Sequence, residues 1–165
     1  MPEIDKLALL EALKQRLEAE LQRAHKRAKD AVDGATHEEN RSEGDKDMRA
    51  TEASYVARGH SERVAEMEQA LARLSTLELL HFEPGARIAM SALVELEHRG
   101  RRLHYFLVPS AGGERLPSAG VEIQALTTQS PLGAVLLGLT EGDEAELPAR
   151  GPGEPARVYA IIGVR

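Results

Sequence analysis

The carboxylates between Asp30 and Glu52 are the residues of this chain most concentrated for chemistry. Eight acids fall there, Asp30, Asp33, Glu38, Glu39, Glu43, Asp45, Asp47 and Glu52, against three bases, Arg41, Lys46 and Arg49. Such a crowd supplies negative charge and oxygen donors at one place. It is equally what a solvated turn looks like, with acids near Asp45 complementing the positive end of a following helix. A cationic segment precedes it: Arg23, Lys26, Arg27 and Lys29, with Lys14 and Arg16 further back. At a helical period Arg23, Lys26 and Arg27 share a face and can form a patch. The alternative is a coiled-coil flank paired with Glu18, Glu20, Glu62, Glu66 and Glu68. Other chemistry is poorly supplied. There is no cysteine, so disulfides and thiolate-bound zinc are excluded. The six histidines, His25, His37, His60, His81, His98 and His104, show no metal-ligand spacing and read as surface or interface residues.

Two runs of helical periodicity flank the acids. Ile4, Leu7, Leu10, Leu13, Leu17, Leu21, Ala24, Ala28 and Val32 step by three or four, and neither Gly nor Pro interrupts Glu3 to Asp33. Gly34 is placed as a C-terminal stop. The pattern resumes at Val56, His60, Val64, Met67, Leu71, Leu74 and Leu77, with Gly59 a mild blemish and Pro84-Gly85 as the closing punctuation. Two helices of ~30 residues, ~45 Å each at 1.5 Å per residue, each carry one apolar stripe. The economical arrangement is an antiparallel coiled-coil hairpin. Residues Ile4 to Val32 then lie against Thr51 to Leu77, with Leu17, Leu21 and Ala24 near Val64, Met67 and Leu71. A parallel dimeric coiled coil is the alternative.

Beyond residue 84 the period becomes alternating. RIAMSALVELE puts Ile88, Met90, Ala92, Val94 and Leu96 on one strand face. GRRLHYFLVP and GVEIQALT read as further strands, with a turn at His98 to Gly100. SPLGAVLLG reads as one short helix, with Ser130 as N-cap, Pro131 at its first position and Gly138 at its exit. EGDEAELPA and PARVYAIIGVR close the chain as strands around Gly151 to Pro155. The expected architecture is α+β: residues 1–80 form the hairpin with its acidic tip, and residues 81–165 form a small antiparallel sheet domain with one helix packed on it.

Composition limits the function. The 165 residues are 42% apolar but 3% aromatic, with net charge −6. The core must be aliphatic, and the acidic balance argues against free-standing binding of duplex nucleic acid. No apolar run approaches the ~20 residues of a membrane span, and the N-terminus lacks a signal-like apolar core. A cytoplasmic protein without a membrane partner is expected.

A helical hairpin with an acidic tip, followed by a sheet domain containing TTQSPLGAVLLGLTEGDEAEL, resembles the Gre-type bacterial transcript-cleavage factors across nearly the whole chain. The second domain of that family is FKBP-like. Its Ser-Pro-hydrophobic-Gly helix and Gly-Asp-Glu turn correspond here to Ser130, Pro131, Leu132 and Gly133, then Gly142, Asp143 and Glu144, and VYAIIGVR resembles its closing strand. The resemblance implies a partner, bacterial RNA polymerase, whose secondary channel the hairpin enters. It implies docking through the region of Ser130, Pro131, Gly133, Gly142 and Asp143. It implies that Arg23, Lys26 and Arg27 approach the nascent RNA 3′ end. Two tip carboxylates would help hold a second magnesium ion with the polymerase, whose own active site cuts the RNA. The chain would be a monomer, not itself an enzyme, with no cofactor of its own.

At the tip, Gly44-Asp45 matches the family's Gly-Asp. Counted forward, its second acid falls on Met48; counted back from Tyr55, on Thr51; the Asp-to-Tyr interval is three residues longer. Asp45 and Asp47 are therefore the expected magnesium ligands, with Glu43 and Glu52 as the other tip acids. A regulator that occupies the channel without promoting cleavage is the alternative within this class, and a coiled-coil chaperone or adaptor the alternative outside it. Peptidyl-prolyl isomerase activity is not expected, because Phe82, Tyr105, Phe106 and Tyr159 are the only aromatics of the second half.

Overall fold

The computed structural model describes residues 3–39 and 46–165, with side chains given for 3–36 and 48–165. The chain forms two compact units, Gln15–Ala72 and Met1–Lys14 with Arg73–Arg165.

Two helices open the chain, α1 (Lys6–Glu39) and α2 (Lys46–Ser75). Asp5 caps α1, its Oδ1 accepting from the amides of Leu7 at 2.9 Å and Ala8 at 3.2 Å, which satisfies two of the free donors of the first turn. Within Gln15–Ala72, Ala24, Val64 and Met67 are buried together with Leu17, Leu21 and Ala28 against them. Further along, Ala31, Gly34 and Ala35 line one hollow with Ala53 and Val56. Neighbours on α2 fall in number as those on α1 rise, so the helices are antiparallel, as the twin stripes require.

The seam departs from the expected stripe toward the turn. The covered positions are Ala24, Ala28, Ala31 and Ala35 on α1, and Ala53, Ala57, His60, Val64, Met67, Leu71 and Leu74 on α2. Val32 and Val56 are 47% and 52% exposed. The expected stripe takes two successive steps of four, Ala24-Ala28-Val32 and Val56-His60-Val64, whereas the seam alternates four and three, as a 3.5-residue repeat requires. Gly34 does not end α1, which runs on to Glu39. One exposed helical glycine costs only about 1 kcal/mol, and Ala35, 8% exposed, is buried immediately after it. The second helix likewise starts earlier than expected, at Lys46.

The other unit carries β1 (Leu93–His98), β2 (Arg101–Val108), β3 (Arg115–Ser118), β4 (Val121–Thr127), α3 (Pro131–Leu136), β5 (Glu144–Leu147) and β6 (Arg157–Val164). They form one six-stranded sheet in the order β3-β4-β2-β1-β6-β5. The fold class is the expected α+β, but the sheet is mixed, because β2 and β4 pair in parallel. The antiparallel expectation missed β3. Its RLPS has one buried residue, Leu116, and a proline, and carries no alternation to read; proline is tolerated there because β3 is an edge strand. This extra reversal turns β4 parallel to β2. Two tight turns set the flanking registers. Arg99 (φ 51°) with Gly100 (φ 73°), and Ala119 (φ 49°) with Gly120 (φ 79°), have the two successive positive φ values of the hairpin turns that match strand twist. The first expected strand is also shortened: Ser91 takes φ 69°, so Ile88 to Ala92 precede β1 in irregular backbone.

Both sheet faces are covered. Val94, Leu96, Leu107, Leu126 and Ile161 pack with Leu132 and Leu136 of α3. On the alternate positions Leu93, Phe106, Ile123 and Ala125 are at most 1% exposed. The first turn of α1 belongs to the same unit. Lys6 Nζ donates to the carbonyls of Leu80 and of Ser91, the latter at 3.2 Å, and lies 4.8 Å from the centre of the Phe82 ring. Burial lowers the pKa of its ammonium.

Candidate functional site

Glu43 and Asp45 lie outside the described residues, and Asp47 lies in the first turn of α2 without a described side chain. Asp47 and Glu52 are five residues apart on α2, ~7.5 Å of rise and ~140° of rotation, and so occupy different faces of that helix. Glu52 is exposed and lines the hollow at Ala35 and Ala53. Met48, where the forward count puts the family's second acid, is 85% exposed in the first turn of α2. No group of three or more potential metal ligands occurs among the described residues.

Arg23, Lys26 and Arg27 are all exposed on α1. Four of the five acids named as their possible partners are engaged elsewhere. Glu20 and Glu66 each stand 3.7 Å from Arg63. Glu62 bonds Arg58 at 3.0 Å and Glu68 faces His25 at 3.3 Å. Such exposed pairs add little stability; the three cations face solvent on the helix that precedes the acid-rich segment.

The residues expected to dock a partner each have a role in the fold. Ser130 Oγ donates to the Thr127 carbonyl at 2.8 Å and accepts from the Gly133 amide at 3.1 Å, capping α3. Pro131 stands at the first helical position, where no amide is needed. A Cβ on Gly133 would lie 2.0 Å from the Thr127 carbonyl oxygen, so only glycine lets α3 come this close to the end of β4. Gly142 turns the chain at φ 91°. Asp143 accepts from the Thr140 amide at 2.8 Å and hydroxyl at 3.0 Å, and these bonds hold its carboxyl below the ordinary aspartate pKa.

Sequence reasoning gave no warning of a hollow beside this motif, walled by Tyr105, Gln124, Pro131, Pro148, Arg157 and Tyr159. Its polar residues come from three strands distant in sequence, and no local pattern joins them. Tyr159 is held by His98, whose ring stacks on it at 4.5 Å and whose Nδ1 is 2.7 Å from the Val158 carbonyl. Burial pushes the Tyr105 phenol pKa up, Tyr159 adds to the shift, and Arg115 opposes it.

Among the described residues no helix is long and apolar enough to cross a membrane. No family model and no curated protein matches the chain. Among solved structures it is similar to GreA factor homolog 1 (Gfh1) of Thermus thermophilus, at 24% identity over 92% of this chain and 94% of that one, with TM-score 0.38. It is similar to Gfh1 of Thermus aquaticus at 24% identity over 91% and 92%, with TM-score 0.39. The prokaryotic transcription elongation factor GreA/GreB of Nitrosomonas europaea is similar at 21% identity over 69% of this chain and 91% of that one, with TM-score 0.36.

Proposed function

We propose that this chain is a Gre-type factor of bacterial RNA polymerase, whose hairpin enters the secondary channel and stimulates cleavage of backtracked RNA. The observation that carries the reading is the division of charge along the hairpin. Glu20, Glu62, Glu66 and Glu68 are engaged with Arg58, Arg63 and His25, while Arg23, Lys26 and Arg27 remain exposed on the helix that leads into the acid-rich segment. A polyanion is drawn to the first region and a hard cation to the second.

Asp45 and Asp47 are the residues that would share a magnesium ion with the polymerase, and their carboxylates fit it, since that ion takes oxygen ligands and commonly only one or two carboxylates. When bound, the metal supplies a Lewis acid and an activated water. The chain itself contributes a stiff support, carboxylate charge at the tip, and cations on α1 that orient the RNA end. It performs no reaction alone.

Exposed Met48 favours a second reading, occupation of the channel without cleavage, because a thioether cannot replace a carboxylate toward magnesium. One set of assays separates the two. The protein should co-migrate with core polymerase, and backtracked complexes should shorten their RNA on its addition. Asp45→Asn should leave binding intact and cut the stimulated rate by orders of magnitude, as loss of a metal ligand does. Tight binding with no shortening at any magnesium concentration decides for occupation. Absence of co-migration overturns both.

A further inference from the structure

We propose that the hollow walled by Tyr105, Gln124, Arg157 and Tyr159 recognises one carboxylate carried on a short apolar stem. Three observations place that chemistry there. The walls carry two cations, Arg150 and Arg157, and no acid, in a chain with 27 acids and 21 Lys and Arg. Neither arginine is in an ion pair among the described residues. Arg157 Nε is fully buried with no hydrogen-bond partner. A wall guanidinium with neither an ion pair nor a bond at Nε is uncompensated charge, and a carboxylate supplies the opposite charge on two oxygens that match the guanidinium fork.

The remaining walls fit the same ligand. Tyr105 and Gln124 are register partners on β2 and β4, so a hydroxyl and an amide stand side by side as further donors. Tyr159 is fixed by its stack on His98. Leu126, Leu132 and Leu147 add apolar surface for a stem of two or three methylenes. A phosphate would find the cations but leave this apolar surface uncovered. The inference goes beyond the polymerase reading and does not rest on it.

The test uses isotope-labelled full-length protein and two probes, butyrate and the blocked tripeptide acetyl-Leu-Glu-Leu-amide, with butyramide as the uncharged control. Both acids should shift the amide resonances of Tyr105, Arg157 and Tyr159 saturably, and butyramide should not. Arg157→Lys should weaken binding by about tenfold, because a point charge replaces a bidentate fork. Tyr105→Phe, which keeps the ring, should weaken it less. A tripeptide affinity about tenfold or more above that of butyrate, 1.4 kcal/mol, assigns the carboxylate to a protein partner. Equal affinities assign it to a small molecule. No saturable shift with either acid, or shifts unchanged in Arg157→Lys and in Tyr105→Phe, overturns the proposal. No polymerase is present, so the result is independent of the function proposed above.

Discussion

The unit Gln15–Ala72 and the sheet unit are stabilised in different ways. The largest fully buried side chains among the described residues, Phe106, Leu13, Leu74, Ile88, Leu93 and Leu96 foremost, all belong to the unit that holds the sheet. Gln15–Ala72 contributes none of them; its cluster is Ala24, Val64 and Met67, and beyond that the seam is Ala31, Ala35, Ala53 and Ala57. Two helices alone can bury one stripe each, whereas a sheet covered on both faces buries successive residues of its central strands, as at Leu93-Val94 and Phe106-Leu107-Val108. Packing therefore holds the sheet unit, and helix propensity together with a thin seam holds the hairpin. Changes in the sheet unit should act globally and changes in the hairpin locally.

The largest effect is expected at Gly133. An added Cβ lies 2.0 Å from a backbone oxygen, Thr127 O, which no side-chain rotation relieves. Gly133→Ala must displace α3 from β4, opening the cluster around Leu132 and Leu136, and should cost about 3 kcal/mol or more. Urea denaturation read by strand-specific probes measures it. A variant as stable as the parent would mean that α3 floats on the sheet, and the contrast between the units would weaken.

Next is Met67→Ala. Met67 is 3% exposed and is the largest side chain in its cluster, so truncation should cost about 2–3 kcal/mol. Hydrogen exchange should show the loss in the amides of 17–28 and 57–67, with β1, β2 and β6 unaffected. Equal loss of protection in the sheet would show that the two units unfold together.

How far the sequence could be read follows the same division. The helices were legible because their apolar residues recur at three and four, and the Ser130 cap because its signal is local. The Ala seam at Ala31, Ala35, Ala53 and Ala57 was not, because Val32 and Val56 are more apolar than Ala31 and Ala57, and steps of three or four admit either set. The strand β3 was hidden by its proline and its single buried leucine, and the parallel pair with it. The tip acids were legible as a cluster, but helix α2 separates Asp47 from Glu52, which composition could not reveal. The Arg157 hollow depends on strand pairings between residues far apart in the chain.

A smaller effect, opposite in sign, is expected at Gly59. It is exposed within α2, and a Cβ there would meet nothing within 4 Å. Gly59→Ala should stabilise the hairpin by roughly 0.5–1 kcal/mol through helix propensity and a less entropic unfolded chain. The check is slower exchange at 57–67 with no change in the sheet. No gain would mean that packing, not propensity, limits the hairpin.

The smallest effect concerns Asp143, in the sheet unit but outside its packing. Its carboxylate accepts two bonds from Thr140, and those bonds lower its pKa in the folded state. A folded pKa below the unfolded one contributes stability that is present above the ordinary aspartate range and lost as pH falls through the folded value. The carboxylate is exposed, so water screens it and the contribution is small. Wild type should melt slightly above Asp143→Asn at neutral pH, and the gap should close below about pH 4. Melting curves of the two proteins from neutral pH down to acid measure it. A gap that stays constant would show that the turn at Gly142 is held by its backbone, with the charge of Asp143 irrelevant. A gap that closes would show that even the well-packed unit keeps one turn whose stability is in part electrostatic.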